Sequence, residues 1–255
     1  MGDIYNDNSY IDNNPTLHSE DSDFKFSNII EFLDMLTINE NKIKILDVGG
    51  GAGLIGKMVM NYFLNKGVEV LLDSLDLSIE MLKIQKKNNP KINNLFNCSL
   101  EDCKMKNYDL ALMIDVIEHI PNKNLAAFSL NKMTSNIIYN IPIEKNLFDI
   151  IRNISLLFQY YKKQTQILGH VHFFSFHSAL SFLNSHHQII EKKFMPYCFY
   201  IKKSNFIDYI KLRKSFVRRI ELNISCWLYI FNKKFSSLII QGSCYALVKA
   251  NKEIN

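Results

Sequence analysis

The chain has 255 residues, of which 47% are hydrophobic and 22% are charged, and its formal net charge is +5. This length and composition predict one folded domain with a large core, and they exclude a chain that is disordered throughout. The five cysteines include no C-x-x-C pair, which argues against a disulfide framework and against a zinc knuckle.

Short apolar strands alternate with helices along the chain. In chain order we predict helix 26–36, strand 43–48, helix 54–64, strand 68–76, helix 79–86, strand 95–98, strand 109–115, helix 122–131, strand 136–141, helix 145–162, helix 176–184, strand 187–194 and strand 238–249. This alternation is typical of parallel βαβ units with right-handed crossovers. The sequence therefore predicts an α/β fold, a Rossmann-like doubly wound, mostly parallel seven-stranded sheet with helices on both faces.

Three parts of the chain differ in composition. Residues 1–24 are polar and acidic, and we interpret them as a flexible N-terminal segment or a lid. Residues 25–195 and 236–250 carry the alternating pattern and form the predicted central domain. Residues 196–235 hold nine Lys and Arg side chains against two acidic ones, interleaved with aromatic residues. We expect this basic segment to be a cap inserted into the domain.

Three functions are open for the insertion 196–235. The first is a capping subdomain whose Lys and Arg side chains are exposed to solvent. The second is a surface that contacts an anionic membrane or a lipid-linked acceptor. The third is a binding site for RNA. Lysine is abundant throughout the chain, so we rank lipid or anionic glycan above nucleic acid. The apolar run 226–231 is far shorter than the roughly 20 residues that a membrane span needs, and residues 1–23 do not resemble a signal peptide. We expect a cytoplasmic protein, peripheral at most to the inner face of the membrane.

Five of the nine glycines cluster at the end of the first predicted strand, at positions 49, 50, 51, 53 and 56. Glycine lacks a Cβ, so a cluster of this kind lets the backbone approach a bulky ligand closely. The run 51–56 matches the dinucleotide fingerprint G-x-G-x-x-G. Asp76 lies 20 residues after Gly56, where that fingerprint has a ribose-binding acid. An NAD(P)-dependent oxidoreductase is therefore one alternative.

Asp47 gives the same segment a second interpretation, because it precedes the glycines in the order Asp-Val-Gly-Gly-Gly-Ala-Gly. A carboxylate at this bend repels the pyrophosphate of a dinucleotide, which prefers bare N–H groups at a helix N-terminus. S-adenosylmethionine carries an ammonium and a sulfonium and has no phosphate, so a nearby acid is favourable. The charge at Asp47 therefore favours S-adenosylmethionine as the cofactor.

Three motifs resemble those of class I S-adenosylmethionine-dependent methyltransferases. They are the glycine segment 47–53, the strand ending 76–82 (Asp-Leu-Ser-Ile-Glu-Met-Leu) and the run 108–121, which ends in Asp-Val-Ile-Glu-His-Ile-Pro. The resemblance implies methyl transfer, with the cofactor held by Asp47, Gly49, Gly51, Gly53, Asp76, Leu77, Leu100, Glu101 and Asp115. The resemblance also implies that Asp76 accepts hydrogen bonds from the ribose hydroxyls and that the backbone N–H of Leu100 contacts the adenine ring. Ser99 departs from the family pattern, which usually has an acid at that position.

Further segments, 138–143, 169–175 and 242–250, resemble a bacterial subgroup of these enzymes that is often linked to surface-glycan biosynthesis. That resemblance implies O-methylation of a small-molecule, glycan or lipid-linked acceptor. A methyltransferase-like partner subunit without catalytic activity is a further alternative.

Methyl transfer to a hydroxyl requires a group that removes the hydroxyl proton. His119, His170 and Asp115 are the candidate catalytic residues, and His119 is the leading base because imidazole titrates near neutrality. The pattern Asp-x-x-Glu-His at 115–119 with a later His also resembles the divalent-cation sites of small-RNA 2′-O-methyltransferases and of ubiquinone-synthesis methyltransferases. The alternative is that Glu118 and His119 only shape the loop after the fourth strand, so a metal is not predicted here.

Overall fold

The computed structural model describes residues 16–17, 19–38 and 41–252. Most of the predicted N-terminal segment 1–24 therefore lies outside the described residues. Within it, residues 19–21 form a 3-10 turn and the first helix begins at Ser22, four residues before its predicted start. Asn28 and Ser27 bond back to the Phe24 carbonyl inside this helix.

Seven strands form one sheet in the order β3-β2-β1-β4-β5-β7-β6. Their bounds are β1 Lys42–Val48, β2 Glu69–Asp76, β3 Leu95–Asn97, β4 Tyr108–Ile114, β5 Thr134–Ile143, β6 His187–Pro196 and β7 Gly242–Ala250. The first five strands pair in parallel, whereas β7 runs antiparallel to both β5 and β6. The doubly wound, mostly parallel seven-stranded sheet predicted from the sequence is confirmed.

Helices follow the strands on both faces of the sheet. Their bounds are α1 Ser22–Asp34, α2 Leu54–Asn65, α3 Ile79–Asn88, α4 Lys123–Met133, α5 Leu147–Ser155, α6 Gln159–Leu168, α7 Phe176–His186, α8 Cys198–Lys203, α9 Ile207–Lys214, α10 Phe216–Phe231 and α11 Lys233–Ile239. Side-chain caps define several helix starts: Ser78 accepts the Met81 N–H for α3, and Ser175 and Ser178 form a capping box for α7.

Apolar layers pack against each face of the sheet. On one face, Ile29, Phe32 and Leu33 of α1 pack with α2 against β1 and β2, at the i, i+3, i+4 spacing of a helical stripe. The other face carries α4 and α7, whose Ala126 and Leu183 are fully buried. Because both faces are covered, the central strands are nearly continuous apolar runs, as in other parallel sheets.

Three further predicted boundaries were wrong. The helix expected over 145–162 is two helices, because Leu157 and Phe158 adopt left-handed φ values of 51° and 63° and end the helical ladder. The strand expected over 238–249 begins only at Gly242, after α11. The strand expected to end before Pro142 continues through it, and Pro142 pairs antiparallel with Ser243.

The insertion 196–235 is helical and contains α8, α9, α10 and the first three residues of α11. It has a small apolar cluster of its own around Cys198, Leu222 and Cys226. Among the described residues, every helix is too short or too polar to cross a lipid bilayer.

The first residue of β7 has no room for a side chain. A Cβ on Gly242 would lie 2.5 Å from the Met195 carbonyl oxygen and 2.7 Å from the Phe194 ring. We expect Gly242→Ala to lower the free energy of unfolding by about 1–3 kcal/mol, the usual cost of forcing an extra group into a packed core. Denaturant unfolding followed by circular dichroism measures this change.

Gly67→Asn is the matched control for Gly242→Ala. A Cβ at Gly67 meets nothing within 4 Å, and asparagine tolerates its left-handed φ of 77°. We expect an unfolding midpoint close to that of the wild type. Equal stability of Gly242→Ala and the wild type would show that the β6–β7 contact is not tight.

Candidate functional site

Two neighbouring cavities open at the carboxyl ends of β1, β2 and β4, the edge where ligands bind in doubly wound folds. The larger cavity has a volume of about 550 Å³ and the smaller one about 280 Å³. They share four lining residues: Gly49, Gly51, Asp115 and His119. A ligand that extends from one cavity into the other therefore passes the glycine bend and the end of β4.

The glycine bend is shaped around the Asp47 carboxylate. A Cβ on Gly50 or on Gly56 would lie 2.4 Å or 2.3 Å from Asp47 Oδ2, so only glycine fits over this buried side chain. Gly49 and Gly51 have left-handed φ values of 58° and 54°, which turn the backbone toward the cavities. Gly50 and Gly56 thus accommodate an acid of the chain itself, whereas Gly49 and Gly51 line the space for a ligand.

Asp47 is 3% exposed, and its environment disfavours negative charge. Burial, with a smaller contribution from the charge of Asp76, raises the pKa of Asp47 to about 7. The side chain lines the smaller cavity. A cationic group placed there would favour the ionised form of Asp47, whereas an anionic group would add to the repulsion.

Asp76 ends β2 at the wall of the larger cavity. Its Oδ1 accepts the Ser78 N–H at 2.9 Å and its Oδ2 accepts the Gln85 amide at 3.4 Å. Burial raises the pKa of Asp76 to about 6, against the lowering effect of these hydrogen bonds. The carboxylate is therefore held in one orientation at the position predicted for a hydroxyl-binding acid.

The other residues predicted for the cofactor fall into two groups. Leu77, Leu100 and Glu101 line the larger cavity together with Ser99, whose hydroxyl donates to Asp102 at 2.8 Å. Gly53 lines neither cavity. A Cβ there would lie 3.1 Å from the Gln85 backbone, so Gly53 serves the packing of α2 against α3.

Asp115 is held by a buried ion-pair network that the sequence analysis missed. Lys25 Nζ of α1 lies 2.7 Å from both Asp115 Oδ2 and Asp21 Oδ1, and the Asn140 amide donates to Asp115 Oδ1 at 2.7 Å. Burial opposes the charge on Lys25, but Asp115 and Asp21 outweigh it and raise its pKa. Both Asp115 oxygens are thus engaged, which favours an electrostatic role over that of a free base.

His119 and His170 come together although 50 positions separate them. The backbone N–H groups of Val171 and His172 donate to the Glu118 carbonyl at 2.9 and 3.0 Å, which joins the segment after α6 to the turn after β4. As a result the two imidazole rings lie 4.8 Å apart in an edge-to-face arrangement. Both histidines line the smaller cavity.

Two buried carboxylates complete this cluster. Glu144 Oε2 lies 2.8 Å from His170 Nδ1, so it orients that imidazole. Both carboxylate oxygens of Glu118 are buried without a hydrogen-bond partner among the described residues. Burial raises the pKa of Glu118 well above its usual range, with Asp115 and Glu144 adding to the effect. One ligand atom from each of Glu118, His119 and His170 can be chosen so that all three lie within 4.8 Å of one another.

The far wall of the smaller cavity comes from residues that sequence reasoning did not single out. Tyr160, Gln164 and Leu168 of α6 lie there with Tyr197 and Gln241. The Gln241 amide donates to Asp149 Oδ1 at 2.7 Å and to the Tyr160 hydroxyl at 3.1 Å. These contacts hold Tyr160 of the cavity wall next to Gln241, which follows α11. The lining of this wall is partly polar and partly apolar.

Comparison with known proteins places the chain among methyltransferase-like sequences over part of its length. It is 36% identical over 104 residues to the ubiquinone biosynthesis O-methyltransferase of Rickettsia typhi, and 39% identical over 83 residues to that of Rickettsia akari. The first match covers 40% of each chain and the second 32% of each, so the chain spans about two-fifths or less of the length of these relatives. No protein-family model matches the chain.

Solved structures resemble the chain over nearly all of its length. The N-methyltransferase NodS of Bradyrhizobium japonicum, in complex with S-adenosyl-L-homocysteine, has a TM-score of 0.55 at 10% identity and covers 96% of this chain and 99% of its own. The geranyl diphosphate C-methyltransferase of Streptomyces coelicolor, in complex with Mg²⁺, a substrate analogue and S-adenosyl-L-homocysteine, has a TM-score of 0.57 at 8% identity. It covers 90% and 76% of the two chains. These similarities show that the chain has the Rossmann-like fold of class I methyltransferases.

The buried Asp47 makes the stability of the ligand-free protein depend on pH. Its pKa is higher in the folded chain, about 7, than the ordinary value of 3.8 in the unfolded chain. The folded state therefore holds a proton that the unfolded state has lost, so stability falls as pH rises from about 4 through about 7. We expect Asp47→Asn to remove this part of the decline, up to about 4 kcal/mol. Denaturant unfolding at several pH values measures it.

Asp208→Asn is the matched control, because Asp208 is an exposed carboxylate on the insertion. It should keep the wild-type dependence on pH. Parallel stability profiles of Asp47→Asn and the wild type would contradict a burial penalty at Asp47.

Proposed function

We propose that the chain is an S-adenosylmethionine-dependent methyltransferase that binds its cofactor across the two cavities. The observation that carries the proposal is the Asp47 carboxyl group buried under the glycine bend. A cationic ligand beside it favours its ionised form, whereas a diphosphate disfavours that form. Asp76, Leu100 and Glu101 all line the larger cavity. In this proposal Asp76 accepts the ribose hydroxyls, and Leu100 and Glu101 line the space for adenine. The named relatives and the fold support the same activity.

An NAD(P)-dependent oxidoreductase fits the bend less well. Its pyrophosphate would lie against the bend at Gly51, beside Asp47 in the smaller cavity. That carboxyl group would either stay protonated or repel the pyrophosphate, and the repulsion would be strong because charges are weakly screened in a buried environment. The cofactor without phosphate is therefore the better fit to this chain.

We propose O-methylation as the reaction, because the smaller cavity is lined by two imidazoles, a type of group that can take a proton from a hydroxyl. When bound, S-adenosylmethionine supplies an electrophilic methyl group on a positively charged sulfur. The chain must then orient the acceptor hydroxyl and take its proton. His119 and His170 face this space, and Glu144 holds the ring of His170 so that Nε2 is the nitrogen left to act. The Lys25–Asp115 pair keeps a fixed charge pattern at the junction of the two cavities.

We further propose that Glu118, His119 and His170 hold a divalent cation. The residues fit one: two imidazoles and a carboxylate are a common ligand set, and Glu118 has buried oxygens that the described protein groups leave unsatisfied. The Glu144 contact to His170 is the type of supporting carboxylate that orients metal-bound histidines. A cation bound there would supply a Lewis acid for an ionised hydroxyl. Without a cation, the same geometry makes His170 a base oriented by Glu144.

The acceptor class follows from the lining of the smaller cavity. Tyr160, Leu168 and Tyr197 provide apolar surface, and Gln164 and Gln241 provide amides. We propose a hydroxyl compound with an apolar part, which includes the small-molecule and lipid-linked acceptors expected from the sequence. A glycan acceptor remains a proposal that rests on the sequence resemblance alone. Nucleic acid stays the lowest-ranked partner.

Cofactor binding tests the proposal directly. We expect isothermal titration to show binding of S-adenosyl-L-homocysteine and none of NAD or NADP. Asp76→Ala removes the acceptor of the ribose hydroxyls, and charge-assisted hydrogen bonds contribute about 1.5–3 kcal/mol each. The dissociation constant should therefore rise roughly 100-fold.

Asp102→Ala is the control for Asp76→Ala, because Asp102 is an exposed acid on the neighbouring loop. Its side chain accepts a hydrogen bond from Ser99. Its affinity for the cofactor should stay close to the wild-type value. Tight binding of NAD would support the oxidoreductase, and failure of both ligands would favour a partner subunit without catalysis.

Removal of the polar cluster should separate chemistry from cofactor binding. We expect His119→Ala and His170→Ala to lower turnover at least about 100-fold, the range attributed to acid–base groups. Cofactor affinity should remain within about threefold, because S-adenosylmethionine is held mainly by the glycine bend and Asp76. Titration with S-adenosyl-L-homocysteine and a methyl-transfer assay on phenolic acceptors measure the two effects.

Metal binding has a readout that does not depend on activity. We expect the protein to bind Mn²⁺ in an electron paramagnetic resonance titration, and Glu118→Gln to weaken that binding strongly. His172→Ala is the control, because His172 contacts the carbonyls of Ile120 and Pro121 rather than the cluster. Full activity in the presence of a chelator, together with no binding of Mn²⁺, would contradict the metal site. The imidazole would then act as the base without a metal.

A further inference from the structure

Helix α5 turns its apolar side away from the protein. Its exposed large side chains recur at the i, i+3, i+4, i+7 spacing of one helical face, and each is 44–56% exposed: Leu147, Ile150, Ile151 and Ile154. The opposite face packs on the protein through Phe148 and through Asp149, which is fully buried, and Arg152 pairs with Asp149 and Glu221. An ordinary surface helix has the reverse arrangement. The apolar face of α5 therefore needs a partner outside the domain.

The turn after α5 exposes two more apolar side chains. Leu157 is 80% exposed and Phe158 is 70% exposed, and both have left-handed φ values. This backbone region is unfavourable for bulky residues, and such strain concentrates at sites of function. The chain thus holds two large apolar groups in solvent at a conformational cost.

Helix α10 of the insertion has a second outward stripe. Five of its exposed apolar side chains follow one face along the whole helix, Phe216, Ile220, Ile224, Trp227 and Phe231, and Val217 and Ile230 are exposed as well. The Trp227 and Phe231 rings stack on each other with centroids 5.3 Å apart. The opposite face packs inward through Leu222 and Cys226. Helix α11 adds Phe235 and Leu238, which are 50% and 56% exposed.

The two stripes belong to neighbouring helices. Arg152 of α5 reaches Glu221 of α10 at 2.8 Å, and α11 packs against both α5 and α10. We call the exposed apolar side chains of α5, of the turn 156–158, of α10 and of α11 the apolar face. Its members are more numerous than the singly scattered exposed apolar residues of an ordinary monomer surface, and exposed apolar patches mark contact sites.

Exposed basic residues lie on the helices that carry the apolar face or next to those helices in the chain, and we call them its rim. They are Lys145, Lys162, Lys163, Lys214, Arg219, Lys233 and Lys234. The two acids of α5 and α10, Asp149 and Glu221, are both paired with Arg152. The rim of the apolar face is therefore positively charged. Aromatic and aliphatic groups within a basic rim are the pattern of helices that lie in the interface of an anionic bilayer.

We propose that the apolar face docks on the surface of an anionic membrane. A second copy of the chain is the poorer occupant, because a two-fold contact through this face would bring the same basic rims together. Anionic headgroups instead neutralise the rim while the apolar side chains enter the acyl boundary. The inference goes beyond the proposed function and does not depend on it, since docking is measured without turnover.

Docking on this face brings the smaller cavity close to lipid. Helix α6 follows the exposed turn directly and contributes Tyr160, Gln164 and Leu168 to the cavity wall. Ile167 of the same helix is half exposed. An acceptor with an apolar part therefore has a short path from the bilayer to the cavity, along α6.

Vesicle flotation of the full chain tests the docking surface. We expect the protein to float with vesicles of phosphatidylcholine and phosphatidylglycerol, to stay at the bottom with phosphatidylcholine alone, and to lose binding at high salt. The double variant Leu157→Asn/Phe158→Asn removes the most exposed apolar pair and keeps residues that tolerate a left-handed φ. Lys233→Glu/Lys234→Glu reverses the rim charge. Each should lower the bound fraction at least about fivefold.

Matched controls use exposed residues elsewhere on the described surface. Met35→Asn/Leu125→Asn removes two apolar side chains that are 50% and 42% exposed, and Lys104→Glu/Lys106→Glu reverses two exposed lysines. Both should bind vesicles within about twofold of the wild type. Circular dichroism and titration with S-adenosyl-L-homocysteine establish that every variant is folded.

Three results would overturn the proposal. One is a wild-type protein that does not float with anionic vesicles, and another is a Leu157→Asn/Phe158→Asn variant that floats as well as the wild type. The third is a concentration-dependent dimer in analytical ultracentrifugation that the same variant abolishes, without vesicle binding, which would assign the apolar face to a second copy. Loss of cofactor binding alone would contradict the proposed function and leave the docking result intact.

Discussion

The Asp47 carboxylate under the glycine bend is the constraint on which the site depends. It is buried at the end of the central strand β1, and both Gly50 and Gly56 must lack a Cβ to leave room for it. The bend in turn sets the backbone of Gly49 and Gly51, which both cavities share. A single acid therefore couples the packing of α2, the course of the ligand-facing loop and the charge of the space above it.

A second electrostatic network ties the N-terminal helix to the same place. Lys25 bridges Asp21 of the first turn and Asp115 at the end of β4, and all three lie at the wall of the smaller cavity. A buried lysine with two carboxylates is stable only as a complete set, because removal of one partner leaves an uncompensated charge. The start of α1 is thus fixed by charge, as well as by the apolar stripe that packs on the sheet.

Much of the fold was predictable because its signals are local. The alternating apolar strands gave the order of elements, and the glycine segment gave the position of the bend. Most predicted cofactor residues, from Asp76 to Glu101, line one cavity because parallel strands bring their carboxyl ends to one edge. The packing role of Gly53 and the break at Leu157 were not predictable from spacing, because they depend on neighbours or on a local backbone conformation.

Other site residues depend on contacts between distant parts of the chain. His119 and His170 were singled out separately, but only the hydrogen bonds from Val171 and His172 to Glu118 bring them together. Glu144 and Lys25 were missed. Lys25 had one usable signal, since it lies four residues before Ile29 on the buried face of α1, where a lysine must find a partner. Glu144 followed the end of β5, at the same sheet edge as the glycine bend.

The start of α1 is also fastened to the insertion. The Phe24 ring stacks on Tyr200 of α8 with centroids 5.1 Å apart, and the Tyr200 hydroxyl donates to the Glu20 carbonyl. The insertion thus contacts the same short segment, residues 20–25, whose Asp21 and Lys25 form the ion pairs that lead to Asp115. Substitutions in the insertion therefore reach the smaller cavity through the start of α1, whereas the wall of the larger cavity at Asp76 and Leu100 belongs to other parts of the chain.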